Sequence, residues 1–134
     1  RALGAPNNFA YTKVFDLSGQ SLTIGPHTTL SYWIYPLSHH ASPAVRGNNS
    51  TCVAVDLIFT DGTSLRDTGV TDQNGHRLHP VDQCGHLRPD AWNHVTASLD
   101  RLAGKTIRRI DVGYDQPRGR GGYRGYIDDL AIRG

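Results

Sequence analysis

The sequence predicts an all-β sandwich of two antiparallel sheets, folded as one domain over residues 1–134. Three observations carry this. Short apolar runs of strand length recur along the chain with turn residues between them. The 15 glycines and 7 prolines are scattered among those runs rather than gathered in one tract, as many turns joining many strands require. All 12 acidic residues are Asp and none is Glu, and Asp favours turns and caps where Glu favours helices. At 134 residues the chain suffices for one compact core and not comfortably for two.

The expected strands are residues 11–17, 21–24, 29–35, 51–60, 92–99, 106–114 and 123–132. Ser18-Gly19 ends the first, Gly25-Pro26 the second and Pro36 the third. In the fourth, Val53, Val55, Leu57 and Phe59 form an apolar face and Asp56 points the other way. Thr60-Asp61-Gly62-Thr63 follows, with Gly62 able to supply the positive φ of a hairpin, so a second strand is expected to pair there. Trp92, after Pro89-Asp90, opens the fifth and reads as a structural plug.

Two segments are too polar for regular structure. Residues 66–90 are rich in Asp, Gly, His and Pro, with Val70, Leu78, Val81 and Leu87 available for burial; loops of that length are uncommon unless functional or pinned. Residues 39–50 repeat this on a smaller scale and carry overlapping glycosylation sequons at Asn48 and Asn49, which mark an exposed loop. Cys52 and Cys84, the two cysteines, stand in no metal-binding spacing. A disulfide between them would tie the long loop to the sheet and contribute about 3 kcal/mol; two free thiols are the alternative.

The net charge is +2, with basic residues and Asp interleaved. No concentrated field for nucleic acid or an anionic membrane results, and neither is an expected partner. Arg118-Gly-Arg120-Gly-Gly-Tyr123-Arg124 has an RGG-like composition, but between two strand-like runs it reads as a glycine-rich hairpin loop. No signal peptide or transmembrane run is seen, so the chain reads as an excised domain or mature fragment; a secreted location and a monomer are separate expectations.

Catalysis finds little support. Absence of Glu weakens a glycosidase reading, although paired Asp would satisfy that chemistry. No G-x-S-x-G elbow is present. The seven histidines include His39-His40 and the spaced His76, His79 and His86, but no H-E-x-x-H or His/Cys pair at zinc-finger spacing, and they read as solvated loop residues.

The terminal run Tyr123 to Ile132 places Asp128 beside Asp129. Successive strand residues face opposite sides, so at most one points inward, and a buried unpaired carboxylate is costly. One reading makes one of them a ligand for a hard cation, Ca²⁺, completed by loop carbonyls and Asp16. The other is a solvated pair at a sheet edge or a salt bridge to Arg124 or Lys13.

Taken in order, Tyr11 to Leu17, Leu30 to Pro36, Val55 to Asp67 with its central Phe59-Thr60-Asp61-Gly62-Thr63, Asp72-Gln73-Asn-Gly75, Trp92-Asn93, Gly104 to Ile107 and Gly125 to Asp129 resemble an accessory β-sandwich of bacterial secreted glycoside hydrolases, notably family-92 exo-acting α-mannosidases. The resemblance covers nearly the whole chain; Cys52, Cys84 and the His-rich loops depart from it. It implies a jelly-roll of the galactose-binding-like kind, a structural Ca²⁺, a parent catalytic domain in cis, and a polysaccharide or oligosaccharide ligand, mannose-containing by association.

A sugar site needs an aromatic platform for the apolar face of the ring and fixed polar groups for its hydroxyls. Trp33 and Tyr35 are the expected platform. Tyr114, Asp115, Arg118, Arg120 and Tyr123 form one candidate loop, and Asp67 and Asp72, beside Gln73 and Asn74, a second; both are equally ordinary turn residues. The expected function is a non-catalytic carbohydrate-binding module that targets an appended hydrolase. A ligand-free spacer domain and a small polysaccharide-active enzyme are the alternatives.

Overall fold

The computed structural model describes residues 8–17, 19, 22–37, 51–116 and 125–134. Six strands lie among them: β1 (Asn8–Asp16), β2 (Thr29–Pro36), β3 (Val53–Phe59), β4 (Asn93–Ser98), β5 (Ile107–Gln116) and β6 (Gly125–Arg133). They form two antiparallel three-stranded sheets, ordered β1-β5-β3 and β4-β2-β6. The all-β sandwich expected from the strand-length runs is therefore observed. Of the run expected at 21–24, the described residues 22–24 make a single bridge, Thr23 to Thr106, rather than a strand.

Alternation along the strands builds the core. Leu30, Tyr32 and Ile34 of β2 and Val95 and Ala97 of β4 face Val53, Val55, Leu57 and Phe59 of β3 and Ile110 and Tyr114 of β5, all nearly inaccessible. Burying side chains of this size stabilises by about 1.5–3 kcal/mol each.

The outer face of the β1-β5-β3 sheet is covered too, which is why all seven residues of β3 are buried. Asp56 does point away from the core, as the pattern predicts, but into a polar layer rather than water. It stands opposite Asp111 of β5, and each is 1% exposed. Asp56 takes an ion pair from Arg66 and the N–H groups of Leu57 at 2.9 Å and Arg66 at 3.1 Å. Arg109 forks onto Asp111 at 2.9 and 3.2 Å. Burial pushes the Asp56 carboxyl above its ordinary range, opposed by the hydrogen bonds and charge of Arg66. The Arg66 guanidinium lies 4.1 Å over the Tyr11 ring. That ring crosses β5 at Gly113, where a Cβ would stand 2.5 Å from it.

The Thr60–Thr63 turn forms with Gly62 at φ 88°, but no second strand follows. One bridge, Ile58 to Ser64, is made before the chain enters a 3-10 turn at Leu65–Asp67. The long polar segment is more ordered than its composition suggests: a bridge joins Thr71 to Arg77, and a one-turn helix, α1 (Pro80–Gln83), starts on Pro80 with His79 as its cap. A disulfide between Cys52 and Cys84 fastens this segment to the start of β3. Among the described residues no helix is long and apolar enough to cross a membrane. Arg118, Arg120, Tyr123, Arg124, His39, His40 and both sequons lie outside the described residues.

Candidate functional site

The site is on the outer face of the β4-β2-β6 sheet. β2 is its central strand, and while Leu30, Tyr32 and Ile34 point inward, Ser31, Trp33 and Tyr35 point out. Trp33 is 38% exposed. Its register partners are His94 on β4 and Asp128 on β6, so an imidazole, an indole and a carboxylate form one row across the sheet. The Trp33 and His94 rings stack with centroids 4.6 Å apart and planes 21° apart. One step along, Tyr35 stands opposite Tyr126, ring centroids 6.2 Å apart, and Trp92 meets Tyr35 edge-on at 5.4 Å.

Asp128 and Asp129 are both exposed, on a strand at the end of its sheet, as the reading of a solvated pair at a sheet edge has it. The cause is a β-bulge. Between the pairs Ser31–Ala131 and Trp33–Asp128, β6 holds one residue more than β2. Asp129 absorbs it at φ 52°, donating its N–H to Asp128 Oδ1 at 2.8 Å. The extra residue shifts the inward set to Ile127, Leu130 and Ile132, which pack on the core, and leaves both carboxylates outside. β6 approaches β2 closely here: a Cβ on Gly125 would collide with the Tyr35 carbonyl.

Trp33, Trp92, Asp128 and Asp129 line one open cavity of about 300 Å³. Trp92 is 47% exposed, so it is a wall of the site and not a plug. Asn93 sets its position. The Asn93 side-chain amide reaches the carbonyls of Arg88 and Ala91 at 2.9 Å and of Ile34 at 3.2 Å, while its oxygen accepts the Arg88 N–H at 2.8 Å. The loop before β4 is thereby clasped to the central strand. Asp90, at φ 56°, adds its N–H to the Pro36 carbonyl.

The other expected site residues do not join this cavity. Tyr114 and Asp115 belong to β5 and are 1% and 3% exposed, Tyr114 in the core and Asp115 buried on the opposite face of the strand, so neither meets a sugar. Asp72 organises its own loop: Oδ1 accepts the N–H groups of Asn74 and His76, and Oδ2 accepts from Gln83. Asp67 sits exposed on the 3-10 turn beside β3, on the other sheet. The expected calcium ligands do not assemble. Asp16 ends β1, bonded to Lys13 at 3.5 Å, and among the described residues no three His, Cys, Asp or Glu side chains form a group able to hold a metal.

Sequence reasoning passed over Trp92, Tyr126, His94 and Asn93 as site residues. The alternation that exposes Trp33 and Tyr35 would have found His94 and Tyr126 once the register of β2 with its neighbours was known. No protein-family model matches the chain, and neither does any curated protein.

Proposed function

We propose that the chain is a non-catalytic carbohydrate-binding module, of jelly-roll type, whose binding face is the outer surface of the β4-β2-β6 sheet. The observation that carries this is the cavity in which two exposed indoles meet two exposed carboxylates. An indole stacks on the C–H face of a pyranose, and a carboxylate accepts hydrogen bonds from its hydroxyls. Asp128 and Asp129 are adjacent on one strand and line one wall, whereas glycoside hydrolysis needs carboxyl groups flanking the scissile bond. That supports binding without turnover. Asp56 and Asp111 are buried and occupied by arginines, which supports a structural role for this cross-strand carboxylate pair.

The module would act by tethering an appended secreted hydrolase to its polysaccharide and raising the local concentration; one disulfide is compatible with an oxidising compartment. Calcium belongs to this reading through the sequence resemblance alone. A spacer role against a catalytic domain is favoured by one observation, the exposed Val14 and Phe15 at the bulge of β1, 46% and 52% accessible.

The test is titration calorimetry of the domain against mannan, galactan, glucan and xylan, before and after EDTA treatment. Saturable binding without product, lost in Trp33→Ala, supports the reading. Absence of binding to every glycan overturns it in favour of the spacer.

A further inference from the structure

The indole-and-carboxylate cavity does not stand alone. Trp92, one of its walls, also lines a second cavity of about 220 Å³ with Asn74, His76, His86, Arg88 and His94. Of these, Asn74, His86, Arg88 and His94 present exposed polar side chains. His76 and His86 stack, centroids 3.7 Å apart and planes 17° apart, and this pair in turn lines a third cavity of about 350 Å³ with Arg77 and Asp82. Neighbouring cavities thus share a flat ring system: Trp92 lines the first and second, the imidazole stack the second and third.

We propose that these cavities are consecutive subsites for one linear oligosaccharide of at least three sugar units. Each is near or below the lower end of small-ligand pocket volumes, about 300 Å³, and so takes on the order of one ring. Flat rings at the boundaries suit a sugar chain, whose units present apolar faces in succession. Hydrogen-bonding groups change along the track: carboxylate acceptors first, then Asn74, Arg88 and the imidazoles, then Arg77 with Asp82. Such a site engages a chain along its length rather than at its tip, and successive units bind as tethered ligands. The disulfide at Cys84, a lining residue of the third cavity, fixes the far end of the track to the sheet.

This inference rests on the carbohydrate-binding reading, and the experiment separates the two. The intact domain is titrated with one- to four-unit oligosaccharides of mannan, galactan, glucan and xylan. For the series that binds, affinity is expected to rise by at least about tenfold from one unit to three and then level off. Arg88→Ala and His86→Ala are each expected to shrink the three-unit to one-unit ratio to under about threefold. A monosaccharide that binds within about twofold of the trisaccharide overturns the extended track while leaving the first subsite standing. A length dependence untouched by both substitutions overturns its course past Trp92. No binding at any length overturns the carbohydrate reading and this inference with it.

Discussion

Trp33 and His94 lie directly across from each other on β2 and β4 with rings stacked at 4.6 Å. The platform indole is thus held in place before any ligand arrives, and a preorganised aromatic loses less conformational freedom on binding. Trp33→Ala is expected to lower glycan affinity by at least about tenfold. Because the side chain projects from the outer face, the loss in stability should stay near the worth of the ring contact, about 0.5–1.5 kcal/mol. Calorimetry and thermal melting of the same sample check both halves; unchanged affinity would remove Trp33 from the site.

Gln73 completes the free edge of β4. Its side-chain amide donates to the His94 carbonyl and accepts the Thr96 N–H at 2.9 Å, as the backbone of a neighbouring strand would. Gln73→Ala should cost about 1–2 kcal/mol for the two bonds and speed amide exchange at Thr96 in preference to Val95. Uniform exchange along β4 would show that the edge does not depend on this cap.

Asn93 clasps the Arg88–Ala91 loop through one carboxamide. Asn93→Asp keeps the size but sets a carboxylate against carbonyls, so a destabilisation of about 2–3 kcal/mol is expected. Trp92 should then lose its fixed pose, seen as a shift in indole fluorescence and weaker binding in the native protein at low temperature. A stable, fully binding variant would refute the clasp.

Strand positions were legible because their signal is local: Val53 to Phe59 alternates, and turn residues bracket it. The site was less legible because it depends on pairs. Asp128 and Asp129 share one side only through a bulge whose existence is defined by the register with Ser31 and Trp33. Trp92 reads as a plug until Asn93 is seen to fold the preceding loop under it. The expected strand stopped at Tyr114 and gave Asp115 to the candidate loop, yet β5 continues through Gln116. Asp56 was correctly turned from the core, but the cover above it comes from Arg66 and the segment beyond.

The Cys52–Cys84 bond spans 32 residues and ties α1 to the start of β3. Replacing both cysteines by serine should cost about 2–4 kcal/mol. The effect on binding should grow with ligand length, since Cys84 lines the third cavity and Trp33 lies on the other sheet. Equal losses for mono- and trisaccharide would disconnect the bond from the track.

Asp56 gives a pH dependence opposite in sign to that of a typical salt-bridged carboxylate. Burial lifts its pKa in the folded state above the ordinary 3.8, so the folded protein holds this proton more tightly than the unfolded chain. Its contribution to stability is then full below that value and declines as pH rises through the folded pKa. Asp56→Asn keeps an oxygen acceptor for the N–H groups of Leu57 and Arg66 but cannot titrate. The Arg66 ion pair is lost only where Asp56 is ionised, and its favourable charge is already part of the folded pKa, so the pH dependence reports the balance of burial against Arg66. Urea unfolding from about pH 4 to 7 should therefore show the variant gaining on the wild type as pH rises. The Asp61 carboxyl, held well below its usual range by Lys105 and Thr63, titrates alike in both proteins and cancels. A gap that widens against the variant with rising pH would mean that Arg66 outweighs burial at this carboxyl.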